Sequence, residues 1–155
     1  MAPSGSAIAI GVGTGDLAVW LAERGRTVTG VDFLAAPLEV ARRKARDRGL
    51  AVNFLEMDAL SVGEIPERFD AVTDCGLFHA FDDASREDYV RGLARLLEPG
   101  AHVFLLCMSD AEPGEHGPRR IREHELRAAF ADGWEVETLE PAGVGALMAL
   151  LEKLK

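Results

Sequence analysis

The chain has 155 residues, of which 48% are hydrophobic and 28% charged, so its length and composition suit one soluble domain with a single core. No apolar run approaches the roughly 20 residues that span a bilayer, and the first residues lack the features of a signal peptide. A net charge of -9 argues against a nucleic-acid partner, and two cysteines favour a reducing compartment over a disulfide framework. We therefore expect a cytoplasmic protein in which 1–155 form a single domain that binds neither membranes nor nucleic acid.

Apolar runs and helix-like stripes alternate along the chain. Strands are predicted at 6–10, 27–31, 51–56, 69–74, 101–107 and 134–139. Helices are predicted at 16–24, 37–48, 85–97 and 123–130, and a long polar loop at 108–120. This alternation predicts an α/β fold, with a doubly wound, mostly parallel sheet that binds its ligands at the carboxyl ends of its strands.

Three alternating glycines follow the first strand, in the stretch Ile-Ala-Ile-Gly-Val-Gly-Thr-Gly that starts at Ile8. Gly11, Gly13 and Gly15 allow a tight turn and let a ligand approach the main chain, because they lack a Cβ atom. Asp32 closes the second apolar run about twenty residues later, where a carboxylate can accept the hydroxyls of a ribose. The two signals together predict a nucleotide site, although a plain tight turn also explains the glycines.

Other polar residues are predicted at the same edge of the sheet. Asp58 can accept a hydrogen bond from an adenine amino group or can simply open a turn. His79 follows the fourth strand and is the best candidate for a general base, with an ordinary structural role as the alternative. The candidates for binding an anionic substrate lie on the polar loop: His116, Arg119 and Arg120.

Two cysteines end neighbouring strands. Cys75 and Cys107 could hold a soft metalloid through their thiolates, but two small buried residues are the more common meaning of such a pair. Neither has the spacing of a zinc site, so we predict no bound metal.

The order of these motifs resembles that of the small bacterial class I S-adenosylmethionine (SAM) dependent methyltransferases. The resemblance covers almost the whole chain and includes FDAVTDCGLFHAFD, from Phe69, and LARLLEPGAHVFLLC, from Leu93. It is closest to the thiopurine and tellurite methyltransferase-like branch. It implies a seven-stranded Rossmann-like sheet whose last strand is antiparallel, which makes 146–153 a strand although their composition favours a helix.

The resemblance also implies roles for individual residues. Gly11, Gly13 and Gly15 would face the methionine part of SAM, and Asp32 its ribose. The adenine would lie near Asp58 and Ala59, and Cys75 would supply a carbonyl near the methionine amino group. SAM is therefore the expected cofactor and a small molecule the expected methyl acceptor, with O, N, S or a metalloid as the atom methylated.

Two departures from the family pattern lead to alternatives. Ala9 stands where the family usually carries an acidic residue, and because the first strand is predicted from residue 6, we expect this sequence to lack the helical cover that usually precedes that strand. A cofactor site left open in this way makes a homodimer plausible. The alternatives are a catalytically silent or fragmentary SAM-binding or interaction module and an NAD-dependent oxidoreductase, although the third glycine comes one residue early for the dinucleotide motif.

Overall fold

The computed structural model describes residues 5–142 and Glu152. It contains five strands: β1 (Ser6–Ile10), β2 (Thr27–Asp32), β3 (Val52–Glu56), β4 (Phe69–Cys75) and β5 (Leu97–Leu106). Its α-helices are α1 (Asp16–Glu23), α2 (Ala35–Asp47), α3 (Asp83–Leu96) and α4 (Glu123–Ala129), and short 3-10 helices cover Ala59–Glu64 and Phe78–Ala80. Strands and helices thus alternate as far as β5, as predicted.

The five strands form one sheet in the order β3-β2-β1-β4-β5, and every neighbouring pair is parallel. From β1 the chain adds β2 and β3 on one side of that strand and then returns to add β4 and β5 on the other side, so the order reverses between β1 and β4. In sheets of this kind, ligands bind outside the carboxyl ends of the strands at that switch point. The fold therefore places the ends of β1 and β4 at the expected ligand site.

Strand alternation divides the core between the two faces of the sheet. Even-numbered residues of β1, such as Ile8 and Ile10, pack in one cluster with residues of α3 that include Tyr89 and Leu93. Odd-numbered residues, such as Ala7 and Ala9, pack in the other cluster with α1 and α2. The sheet is therefore covered on both faces, as its apolar strands require.

The strand predicted at 134–139 is wrong. Trp134 and Val136 are half-buried and their neighbours exposed, as the alternating pattern requires, but this segment pairs with no strand among the described residues. Alternation fixes which side chains are buried, whereas a strand also needs a backbone partner. The described sheet accordingly has five parallel strands, not the seven expected with an antiparallel last one. The strand expected at 146–153 lies outside the described residues, apart from Glu152.

The start of β5 also differs from the prediction. The predicted helix at 85–97 and the predicted strand at 101–107 leave Pro99 and Gly100 between them, but β5 already begins at Leu97. The pairing with β4 shifts register between Phe69 and Ala71, and Gly100 takes a φ of 82°. An irregularity in the ladder therefore accommodates the Pro-Gly pair. No helix within 5–142 has the length and apolar content needed to cross a membrane.

Candidate functional site

The glycine loop joins β1 to α1, and the structural requirement for glycine differs from one position to the next. Gly11, Gly13 and Gly15 have φ values of 68°, 54° and 82°, a region that side chains rarely adopt. A Cβ atom on Gly15 would lie 2.6 Å from the Cβ of Ala41 on α2, so this glycine allows the two helices to pack closely. A Cβ atom on Gly13 would meet nothing within 4 Å. Gly13 thus faces open space at the end of the sheet.

Asp32 is bonded directly to this loop. Its Oδ2 atom accepts a hydrogen bond of 2.8 Å from the Gly13 N–H, and its Oδ1 atom accepts one of 3.0 Å from the Leu34 N–H. Each carboxylate oxygen has a second lone pair, so Asp32 can still accept hydrogen bonds from a ligand. The structure therefore brings together the two parts of the predicted nucleotide site.

Two apolar side chains follow Asp32 and point into solvent. Phe33 is 69% exposed and Leu34 57% exposed, the largest exposures among the large hydrophobic residues described. An aromatic ring beside a nucleotide site offers a flat apolar surface for a base. The sequence reasoning missed this feature, although two apolar residues directly after a strand end were the signal.

Asp58 lies at the end of the adjacent strand. Its neighbour Met57 donates a backbone hydrogen bond of 2.9 Å to the Asp32 carbonyl, which ties the ends of β2 and β3 together. The Oδ1 atom of Asp58 accepts from the Leu60 N–H at 2.9 Å and so caps the 3-10 helix that begins at half-buried Ala59. Asp58 is exposed and its second carboxylate oxygen makes no hydrogen bond within 5–142. Asp58 thus caps a turn and keeps an acceptor at the edge of the sheet.

Asp74 is a fully buried carboxylate at the end of β4, which the sequence reasoning did not single out. It accepts hydrogen bonds from the Leu77 N–H at 2.8 Å, the Phe78 N–H at 3.4 Å and the Tyr89 hydroxyl at 3.0 Å. Burial raises the pKa of Asp74 to about 6, although these hydrogen bonds favour the ionised form. Asp74 therefore holds the turn that leads from β4 to His79.

His79 is tied to the end of β5. Its Nδ1 atom accepts a hydrogen bond of 2.9 Å from the Met108 N–H, so in the neutral ring the proton resides on Nε2. Burial lowers the pKa of His79, which favours this neutral form. In this arrangement Nε2 already carries a proton and can only donate it. Nδ1 could accept a proton, but it is occupied by the hydrogen bond from the Met108 N–H. The general-base role of His79 stays a prediction, and it requires that the bond to Met108 be released.

The two thiols remain free and protonated. Cys75 is exposed and Cys107 is half-buried. Burial raises the pKa of both thiols, that of Cys107 to about 11. A soft metalloid binds the thiolate, and the raised pKa values disfavour that form at neutral pH.

The two arginines of the polar loop already bond to other groups of the same chain. Arg119 pairs with Asp83 and Glu125, at 2.6 Å and 2.5 Å. The guanidinium of Arg120 donates to backbone carbonyls of its own loop, including that of His116 at 2.8 Å. His116 itself is exposed. The anion-binding role of these three residues stays a prediction, and both arginines would have to exchange existing partners for a substrate.

A cavity of about 390 Å³ opens beside the glycine loop. At the end of the sheet its lining comes from β1 and β4, through Ile10, Gly11, Thr73 and Cys75. From there it follows α1, where Leu17 and Trp20 line it. The cavity therefore joins Cys75 and the first glycine of the loop in a single, mostly apolar space.

The chain was compared with protein families and with curated relatives. A family model described as a methyltransferase domain matches residues 7–100. A 2-heptyl-1-hydroxyquinolin-4(1H)-one methyltransferase from Mycobacteroides abscessus is 33% identical over 141 residues, which are 89% of this chain and 62% of that protein. The chain thus spans less than two thirds of the length of this relative.

Solved structures give the same picture. One described as "Conversion of a Disulfide Bond into a Thioacetal Group during Echinomycin Biosynthesis" is 35% identical, with a TM-score of 0.79, over 89% of this chain and 65% of that one. TehB from Haemophilus influenzae has a TM-score of 0.73 at 18% identity, over 85% of this chain and 46% of its own. The second likeness concerns the fold alone, so the branch within the family stays a prediction.

Proposed function

This chain belongs to the methyltransferase-domain family of class I SAM-dependent enzymes, and on that premise we propose that it transfers a methyl group from SAM to a small-molecule acceptor. The observation that carries the proposal is the hydrogen bond between Asp32 and Gly13. It joins the glycine loop and the strand-end carboxylate into one site at the switch point of the sheet. The family also favours SAM over NAD as the cofactor.

The residues present fit SAM in their chemistry. Gly13 leaves open space against which the methionine end would lie, and Cys75, which lines the cavity beside Gly11, would contribute its carbonyl. The ribose hydroxyls bond to Asp32, whose oxygens keep free lone pairs. Asp58 and Ala59 would hold the adenine, and the exposed ring of Phe33 would offer it an apolar surface. When bound, SAM supplies an activated methyl group on a sulfonium.

Methyl transfer of this kind is a direct displacement, so the protein has to align the acceptor with the methyl group and keep water away. Few catalytic side chains are needed for such a displacement. The acceptor is proposed to be a small organic molecule. The related proteins named above concern a hydroxyquinolone and a disulfide, so they do not favour one acceptor atom.

The test is a variant that removes the charge of Asp32 while keeping its shape. Asp32→Asn retains an acceptor for one of the two backbone N–H groups but weakens the hydrogen bonds to ribose, since hydrogen bonds to charged groups contribute about 1.5 to 3 kcal/mol. We expect it to weaken SAM binding about tenfold or more in a calorimetric titration. Asp88→Asn, an exposed carboxylate on α3, is the matched control and should bind like wild type.

Equal affinity of both variants for SAM would contradict the assignment of Asp32. Binding without methyl transfer to any of a panel of phenols, amines and thiols, followed with methyl-labelled SAM, would favour the alternative of a silent SAM-binding module.

A further inference from the structure

Thr73 carries a buried hydroxyl group without a partner. The residue is 1% exposed, and its Oγ1 atom makes no hydrogen bond with any part of the chain that the structure describes. Buried polar atoms are nearly always hydrogen-bonded, so an exception calls for an explanation. A valine of almost the same shape would fill this position of a buried strand without that cost.

The position of Thr73 supplies the explanation. On β4 it lies in register with Ala9 of β1, which is 2% exposed, and with Phe104 of β5. Neighbouring residues of parallel strands share a face, so the hydroxyl is bordered on both sides by apolar side chains. Thr73 also lines the cavity that contains Gly11 and Cys75.

The charges of this cavity are compensated elsewhere. Asp16 and Glu23 of α1 are paired with Lys44 and Arg48, at 2.5 Å and 2.7 Å. Asp74 is adjacent to Thr73 in sequence but bonds to Tyr89, in the cluster on the other face of the sheet. Thr73 is thus a residue of this wall whose buried hydroxyl has no partner within the described residues. It can accept one hydrogen bond from a ligand and can also donate one.

We propose that Thr73 positions the cofactor by accepting a hydrogen bond from the α-amino group of its methionine end. This inference rests on the proposed function. An ammonium group needs acceptors, which this wall offers in the Thr73 hydroxyl and the carbonyl of Cys75, whereas the N–H groups of Val12, Gly13 and Gly15 already donate within the chain. The hydroxyl on β4 then supplies a polar contact beside Ala9, where the family usually has an acidic side chain on β1.

The experiment compares two ligands that differ at the amino-acid end. S-adenosylhomocysteine has it, whereas 5′-methylthioadenosine lacks it and keeps the adenosine part. Thr73→Val removes the hydroxyl and keeps the shape, and Thr73→Ser keeps the hydroxyl. We expect Thr73→Val to bind S-adenosylhomocysteine about tenfold more weakly and 5′-methylthioadenosine as wild type does. Thr73→Ser should bind both ligands within about threefold of wild type.

A second measurement protects the test against a folding defect. Because the lost hydroxyl has no partner, the ligand-free Thr73→Val protein should unfold at the same temperature as wild type or a higher one. If it does not fold, Thr73→Ala is the second variant: it removes the hydroxyl together with the γ-methyl group, and the same pattern of affinities is expected.

The outcomes separate this inference from the proposed function. If the wild-type protein binds both ligands and Thr73→Val does not weaken the binding of S-adenosylhomocysteine, the role of Thr73 alone is overturned. Equal weakening of both ligands would also overturn it, because the effect would then not concern the amino group. A wild-type protein that binds neither ligand would overturn the proposed function, and this inference with it.

Discussion

Asp74 holds the turn after β4 while buried away from solvent. Its ordinary pKa of 3.8 applies in the unfolded chain, and burial raises the pKa to about 6 in the folded protein. The folded state therefore binds this proton more tightly. Between these two values, stability falls as the pH rises, and above about pH 6 the full cost of the buried charge is present.

Asp74→Asn removes that charge and keeps an acceptor for the backbone N–H groups of the turn. We expect its free energy of unfolding, relative to wild type, to rise by on the order of 3 kcal/mol between pH 4 and pH 7, because a shift of one pKa unit corresponds to about 1.4 kcal/mol. Urea denaturation at several pH values measures this difference.

The exposed variant Asp88→Asn serves as the control for Asp74→Asn. Its stability relative to wild type should change little over the same pH range, because Asp88 and its partner Arg91 are both exposed. If Asp74→Asn and wild type lose stability in parallel as the pH rises, the ionisation of Asp74 does not destabilise the folded state.

At the residue scale, the positions of the polar side chains were predicted better than their hydrogen-bond and ion-pair partners. The position of Asp32 beside the glycine loop could be predicted because its place after the second strand and the glycine spacing agree. The bonding of Thr73 and Asp74 could not be predicted, because alternation along a strand shows which face a side chain occupies but not whether it finds a hydrogen-bond partner there. The partners of Arg119 come from α3 and α4, 36 and 6 residues away along the chain, and no local pattern indicates such pairs.

At the scale of elements, the start of α1 depends on the close contact between Gly15 and α2. Gly15 and Gly25 have nearly the same φ, 82° and 81°, but a Cβ atom on Gly25 would meet nothing within 4 Å. Alanine at either position is strained by roughly 1 to 2 kcal/mol, because of the left-handed backbone. At Gly15 the overlap with Ala41 adds about 1 to 3 kcal/mol.

Gly15→Ala should therefore destabilise the protein by about 1 to 3 kcal/mol more than Gly25→Ala, as measured by denaturant unfolding. The comparison cancels the backbone strain and isolates the contact with α2. A similar loss for both variants would mean that α2 moves away at little cost, and that the third glycine is not a packing requirement.

The helices and strands were predicted best where apolar runs and turn residues indicate the same boundary. The alternation from β1 to β5 is correct because apolar runs and turn residues mark each boundary. The error at 134–139 arose because alternating Trp134 and Val136 indicate burial on one side, and pairing depends on whether another strand offers a free edge. The sequence alone does not contain that information.

On the scale of the whole molecule, the parallel sheet gathers the site from distant parts of the chain. The carboxyl ends of β1, β2, β3 and β4 meet at one edge and bring Gly13, Asp32, Asp58 and Cys75 there. This convergence was predictable, because it follows from the alternation of strands and helices alone. The contacts of the 108–120 loop were not, since they depend on ion pairs with side chains of α3 and α4.

The most direct test of the account is a calorimetric titration of the wild-type protein with SAM and S-adenosylhomocysteine, with NAD as the control ligand. We predict binding of both SAM and S-adenosylhomocysteine, with dissociation constants in the micromolar range, about -8 kcal/mol of binding free energy, and no binding of NAD. Binding of NAD alone, or of none of the three, would contradict the assignment of this edge of the sheet as a SAM site.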